Sequence, residues 1–116
     1  SFSLWETFGL SLMEAVGDGL AMVGLDVRYG NRLFIHQDEN GYLVDFDIET
    51  DFQNKDKLCE RTAAAIVKIF EDDDRLKKFH ENSYMIAEEY KEHVIESKWM
   101  QLIKNILDLN PSNLIL

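Results

Sequence analysis

The chain has 116 residues, 46% of them hydrophobic, and carries 22 acids against 12 bases, a formal charge of −10 at neutral pH. One folding unit of the common size of about 100–150 residues is expected, and the supply of apolar and aromatic residues excludes a disordered chain. No apolar run approaches the ~18 residues of a membrane-spanning helix, the acidic balance excludes a protein that coats nucleic acid, and the lone Cys59 excludes an internal disulfide.

The chain begins at Ser1, without Met, as if inside a structural element. Ser1-Phe2-Ser3-Leu4-Trp5 alternates like the end of a buried strand, with Glu6 to Gly9 as the turn leaving it. Leu10 to Val16 then predicts a short helix with Leu12 and Val16 on one face. Gly17-Asp18-Gly19 stops that helix. The run Leu20 to Gly24 reads as a strand buried on both faces. Tyr29-Gly30-Asn31 breaks it, and Arg32 to Ile35 fits one helical turn. Asp38-Glu39-Asn40-Gly41 is a turn before a small strand, Tyr42 to Val44.

From Asp45 onward the character changes. All six glycines lie in residues 1–44, where six acids face only two bases, Arg28 and Arg32. Residues 45–116 read as helix almost throughout. Leu58, Thr62, Ala65, Ile66, Ile69 and Phe70 repeat at helical spacing between about Asp56 and Glu71. Leu76, Phe79, Ser83, Ile86 and Tyr90 mark a second helix. Ile95, Trp99, Leu102, Ile103 and Ile106 mark a third, which Asn110-Pro111 ends. Strands joined by helical crossovers predict an α/β fold: a Rossmann-like parallel sheet with flanking helices and a helical tail. Three strands are few for such a sheet.

The stretch from Glu6 to Glu14 is a strand exit entering a helix. Helix N-termini offer unpaired N–H groups to phosphate oxygens. Gly9 allows close backbone approach, and Glu6 stands where open α/β sheets bind ligands. Glu14, one turn after Leu10, suits two hydrogen bonds to a ribose diol. Spacing alone proves little, because Glu81 and Glu89, and Glu88 and Glu96, also lie eight apart. A crossover turn with a solvated Glu is the alternative.

The run Glu6-Thr-Phe-Gly-Leu-Ser-Leu-Met-Glu14 and its continuation to Gly24 resembles the signature of glycosyltransferase family four. These are retaining enzymes of the GT-B fold that use nucleotide sugars. The likeness continues through Asp26 to Asn31 and Glu39 to Val44, and the Asp73-to-Phe79 segment and the helix around Trp99 resemble the family's carboxyl-terminal tail. The resemblance implies that residues 1–116 are the carboxyl-terminal part of a GT-B nucleotide-sugar domain, with the donor-site half in 1–44 and the helical part in 45–116. It implies donor contacts at Glu6, at the backbone of Phe8, Gly9 and Leu10, at Ser11 and Leu12, and at Glu14, with Glu6 nearest the reacting centre. The chain departs from the family pattern at Thr7, Ala21 and Asn31, where Gly, Pro and Pro are common. Thr7 bears on donor-sugar fit.

The implied donor is a UDP-sugar, UDP-glucose or UDP-N-acetylglucosamine, with no cofactor and no obligatory metal. The implied acceptor is a bacterial surface polymer or a glycoprotein, as for poly(glycerol-phosphate) α-glucosyltransferases and accessory-secretion N-acetylglucosamine transferases. The missing amino-terminal domain would hold that acceptor, and the Arg and Lys that clamp the diphosphate would precede Ser1. Such a parent is expected in the cytoplasm, peripherally at the membrane's inner face, and this piece alone is expected to fold without turning over substrate. A non-catalytic module that stabilises a partner protein is the alternative.

Other signals carry less. Asp45-Phe46-Asp47 fits the Asp-x-Asp pattern of metal-dependent transferases but is expected by chance among 11 Asp. Asp72-Asp73-Asp74 reads as a helix break and cap. His36, His80 and His93 lack zinc-ligand spacing. Cys59 and the aromatic stripe Phe70, Phe79, Tyr90 and Trp99 are expected in the core, and Arg28 and Arg32 in surface ion pairs.

Overall fold

The computed structural model describes residues 1–109. Its elements are α1 (Leu10–Gly17), β1 (Met22–Leu25), α2 (Gly30–Phe34), β2 (Gly41–Val44), α3 (Ile48–Asp51), α4 (Lys55–Phe70), α5 (Asp73–Glu88) and α6 (Glu92–Leu109). The expected stop at Asn110-Pro111 lies outside the described residues. β1 and β2 pair in parallel, from Met22 beside Gly41 to Leu25 beside Val44.

The expected strand over Ser1–Trp5 does not form. The segment is hydrogen-bonded to the neighbouring chain only near its two ends. Ser1 donates to the Val23 carbonyl (2.5 Å) and accepts from the Leu25 N–H (3.1 Å), and Glu6 pairs with Tyr29. Between these points the Val27 N–H folds back onto the Leu25 carbonyl (2.8 Å), a γ-type turn that pulls the neighbouring chain off the ladder. Phe2, Leu4 and Trp5 are consequently exposed. The sheet therefore has two strands, with a third chain segment tacked beside it.

Helices cover both faces of this sheet, as buried parallel strands require. On one side Leu12 and Val16 of α1, Met22, Phe34 and Ile35 meet Ile86 of α5. On the other, Leu25, Val27 and Val44 pack with Leu58 and Ala65 of α4, and Tyr42, Ile69 and Phe79 form a third cluster. α1 closes in a Schellman motif, with Gly19 at φ 72°, its N–H on the Val16 carbonyl (2.9 Å) and the Leu20 N–H on the Ala15 carbonyl (3.0 Å). Leu20 lies outside β1 and is exposed. α2 begins at Gly30, so Gly30 and Asn31 open the helical turn that they were expected to precede.

A buried polar network ties these layers together. Asn40 has no exposed surface; its Oδ1 accepts from the His36 N–H (2.8 Å), and its Nδ2 donates to the Phe34 carbonyl (2.9 Å) and Ser83 Oγ (3.2 Å). Ser83, equally buried, donates to the Leu20 carbonyl (2.7 Å). One side chain in the turn before β2 thus holds the end of α2, while its partner on α5 holds the entry to β1.

The carboxyl-terminal helices depart from expectation in three places. α3 has no apolar periodicity; it forms because the Asp47 carboxylate caps the N–H groups of Glu49 (3.0 Å) and Thr50 (2.9 Å). Cys59 is exposed, not core, because α4 turns Leu58, Ala65 and Ile69 to the sheet. Of the aromatic stripe, Phe79 is buried and Tyr90 packs on Phe34 (centroids 4.9 Å apart), whereas Phe70 and Trp99 are exposed. Asp72 caps α5 through the Arg75 N–H (3.1 Å). No residue of α6 is buried.

Replacing Asn40 by Ala leaves the buried Phe34 carbonyl and the half-buried His36 N–H without this partner, the first at about 1–3 kcal/mol and the second at less. Asn40→Ala is expected to lower stability by about 2–4 kcal/mol in urea unfolding, and Ser83→Ala by about 1–2 kcal/mol. The double variant should fall short of the sum, since the two share one hydrogen bond.

Candidate functional site

The three parallel segments end on one edge: Glu6 after the first, Asp26 to Tyr29 after β1, and Asp45 to Asp47 after β2. In open α/β sheets that edge is the ligand crevice. Glu6 is fixed there through its backbone. Its carbonyl accepts from the N–H groups of Tyr29 (2.5 Å) and Gly30 (2.9 Å), and its N–H donates to the Arg28 carbonyl (3.4 Å).

Two glycines close on the Glu6 stem. Gly9 holds φ 84°, a left-handed conformation costly for other residues, and a Cβ there would sit 3.2 Å from Glu6 Cγ. A Cβ on Gly30 would lie 2.6 Å from both Glu6 Cγ and the Phe8 carbonyl oxygen. Both approaches need hydrogen in place of a side chain. The stem is gripped between the start of α1 and the start of α2. Sequence reasoning read Gly30 only as a strand breaker; its contact with Glu6 is tertiary and has no local signature.

Gly9 also opens α1. Its carbonyl accepts from the Leu12 (2.9 Å) and Met13 (3.0 Å) N–H groups, leaving the first-turn N–H groups of Leu10 and Ser11 ahead of those bonds. Leu10, Ser11 and Glu14 are exposed along the helix. Leu12 is different: its side chain is in the core and its N–H is taken by Gly9, so it anchors the turn from behind. Phe8 is 41% exposed and stacks edge-to-face on Phe34, with centroids 5.4 Å apart. Glu6, Phe8 and Gly9 are thus brought together, with Leu10, Ser11 and Glu14 extending from them along α1.

A concavity of about 340 Å³ lies at the ends of β1 and β2 and is lined by Asp26, Arg32, Asp45, Asp47, Asp51 and Arg61 among others. Both of its arginines are paired, leaving Asp45 and Asp47 without a cation among the described residues. Arg32 pairs with Asp26 (2.5 Å) and Arg61 with the buried Asp51 (2.7 Å). The Arg61 guanidinium, joined by the Asp47 N–H, holds the Asp51 carboxyl below the ordinary carboxylate value. Asp47 is lowered as well, chiefly by the Thr50 N–H and hydroxyl. Asp45-Phe46-Asp47 is therefore a strand exit and helix cap. Among the described residues no group of three or more His, Cys, Asp and Glu is placed to hold a metal ion, and no helix is long and apolar enough to cross a membrane.

No protein-family model matches the chain. Over 98 residues, 84% of its length, it is 49% identical to the GtfA subunit of a UDP-N-acetylglucosamine–peptide N-acetylglucosaminyltransferase from Limosilactobacillus reuteri. It is 39% identical over 103 residues to the GtfA subunit of Streptococcus gordonii, and 28% identical over 110 residues to a poly(glycerol-phosphate) α-glucosyltransferase of Bacillus subtilis. The chain spans only 18%, 20% and 15% of these proteins. Among solved structures, a GtfA/B complex superposes on 92% of the chain with a TM-score of 0.83 at 38% identity, covering 20% of that protein. The pneumococcal O-GlcNAc transferase GtfA, in complex with UDP and GlcNAc, superposes on 86% with a TM-score of 0.72 at 37% identity, covering 19%.

Gly30→Ala forces the Glu6 stem and the Phe8 backbone apart. Amide chemical-shift changes are expected to centre on Glu6, Phe8 and Gly9, with stability lowered by about 1–3 kcal/mol. For the concavity at Asp51 the sign of the pH effect follows from the lowered Asp51 pKa. The stability it contributes is complete above the unfolded value of about 3.9 and is lost as pH falls through the folded value. Asp51→Asn should therefore lower the urea midpoint at pH 7, with the deficit shrinking as pH falls below about 3.9.

Proposed function

We propose that this chain, homologous to a carboxyl-terminal stretch of GT-B glycosyltransferases, forms the donor-sugar side of an enzyme that transfers N-acetylglucosamine from UDP to a protein, retaining the anomeric configuration. The observation that carries the reading is the grip on Glu6: a side-chain stem held between two glycines, on a backbone fixed by three hydrogen bonds, at the crevice edge where a helix N-terminus begins. The gradient of identity, from 49% with the N-acetylglucosaminyltransferase subunit to 28% with the glucosyltransferase, favours N-acetylglucosamine over glucose.

Within this reading each residue has a distinct task. Glu6 accepts hydrogen bonds from the donor sugar and stabilises positive charge growing at its ring. The N–H groups of Phe8, Gly9, Leu10 and Ser11 face the sugar hydroxyls and the diphosphate, where the positive end of α1 offsets charge on the departing phosphate. Leu12 locks the turn that presents them. Glu14 accepts from the ribose diol. A single carboxylate in this setting orients the sugar; retaining hydrolysis by contrast uses two about 5 Å apart. The cations that clamp the diphosphate and the domain that holds the acceptor come from the rest of the parent polypeptide. A second subunit joins it, as in the GtfA/B complex. The reaction belongs in the cytoplasm, at the membrane's inner face. A purely partner-stabilising module has no need of the gripped carboxylate.

In the full-length parent, Glu6→Gln and Glu14→Ala are each expected to reduce sugar transfer from UDP-N-acetylglucosamine by about 100-fold or more, the scale of lost transition-state contacts. Glu6→Gln should act on kcat and Glu14→Ala mainly on the KM of the donor. Unchanged turnover in both variants overturns the assignment.

A further inference from the structure

Among the described residues, the backbone bonds of Glu6 all go to one short segment. Its N–H meets the Arg28 carbonyl, and its carbonyl takes the N–H groups of Tyr29 and Gly30. That segment, Asp26 to Gly30, leaves β1 and turns into α2, so its shape decides where Glu6 is held. A loop keeps one shape when its two ends are tied, because the tie removes most of the chain's freedom.

The tie is the side chain of Asn31. Its Nδ2 donates to the Leu25 carbonyl at 2.7 Å, joining the first turn of α2 to the last residue of β1. The same carbonyl accepts the Val27 N–H (2.8 Å). One oxygen thus carries both the bond that turns the chain out of β1 and the bond that closes the loop. Arg32 repeats the closure on the outside by pairing with Asp26 (2.5 Å). Asn31 has no exposed surface, and Gly24 leaves room for it: a Cβ on Gly24 would lie 3.1 Å from Nδ2.

An amide is a costly occupant of this place. Among the described residues its Oδ1 has no hydrogen-bond partner, and a buried acceptor left unpaired lowers stability where an apolar side chain would not. What Asn31 supplies, and a Leu of similar size could not, is the bond to the Leu25 carbonyl. That bond serves the loop and, through the loop, Glu6.

We infer that Asn31 is a positioning residue for sugar transfer: its buried bond to the Leu25 carbonyl fixes the loop that holds Glu6 at the donor. The inference rests on Glu6 contacting the donor sugar. Being fully buried, Asn31 acts only through Glu6 and its loop.

The test uses the full-length parent. Asn31→Leu keeps the bulk while removing both the donor and the unpaired acceptor, so its melting temperature is expected to stay near that of the wild type. Its kcat with UDP-N-acetylglucosamine should fall about tenfold, with the donor KM changed less than about twofold. Asn31→Asp, which keeps the shape without the N–H donor, should show the same split. In a Glu6→Gln background the further loss from Asn31→Leu should be less than about twofold, since the group it positions is gone. Hydrogen exchange reads the loop without turnover: in Asn31→Leu the Tyr29 and Gly30 amides should exchange about tenfold faster, while those of β2 keep their rate. Unchanged kcat, a loss carried wholly by KM, full additivity with Glu6→Gln, or faster exchange spread equally over β2 overturns the inference. Failure of both variants to fold does so too, because Asn31 is then a core residue and nothing more. If the donor reading of Glu6 is itself wrong, Glu6→Gln turns over like the wild type, while the local exchange effect at Tyr29 and Gly30 persists.

Discussion

The hydrogen bond between Asn40 and Ser83 is the constraint on which the rest of the fold depends. Two four-residue strands cannot hold a sheet together alone; small parallel pairs survive only when helices clamp them. Asn40 holds the end of α2 by the Phe34 carbonyl and the turn by the His36 N–H, while Ser83 holds the Leu20 carbonyl at the way into β1. With these three groups satisfied, Phe34, Ile35, Met22 and Ile86 close into one cluster, and α1 has a surface to lie on. Both side chains are fully buried, and the Asn40 bonds to Phe34 and Ser83 are made away from water.

From that scaffold the site follows by short steps. α1 is held by Leu12 and Val16, which fixes Gly9 at its head; α2 is held by Phe34, which fixes Gly30 at its own. Glu6 fits between the two glycines. The reach of the carboxylate toward a ligand is therefore set by packing on the far side of both helices. Mobility there would cost far more than a misplaced loop, because positioning within fractions of an ångström is what such a carboxylate supplies.

What could be read from the sequence divides along the range of the forces involved. The helices α1, α4, α5 and α6 follow from side chains three and four apart, and the parallel α/β arrangement from the order of elements. The resemblance carried by Glu6 to Glu14 agrees with the GtfA relatives. α3 escaped because a single Asp47 cap makes it, without periodicity. Ser1–Trp5 looked like a strand by alternation, but pairing is decided by its neighbour, and the turn at Asp26 takes that neighbour away. Cys59 looked buried because its helix is amphipathic; which flank of the apolar stripe meets the sheet is set by β1 and β2. Gly30 against Glu6 and Asn40 against Ser83 join distant parts of the chain, and nothing near either residue announces the partner.

The distances spanned along the chain also bear on the order of folding. β1, α2 and β2 are consecutive, so their pairing closes only a short loop, whereas Asn40 and Ser83 are 43 positions apart and Leu20 and Ser83 are 63. Short closures come first, because long ones lose more chain entropy before any contact rewards them. The β1–α2–β2 unit is then expected to form first, with α5 docking afterwards. Contacts made after the transition state govern how fast a protein opens more than how fast it forms. Loss of the Asn40–Ser83 bond is then expected to quicken unfolding, and with it the release of Glu6 from between its two glycines.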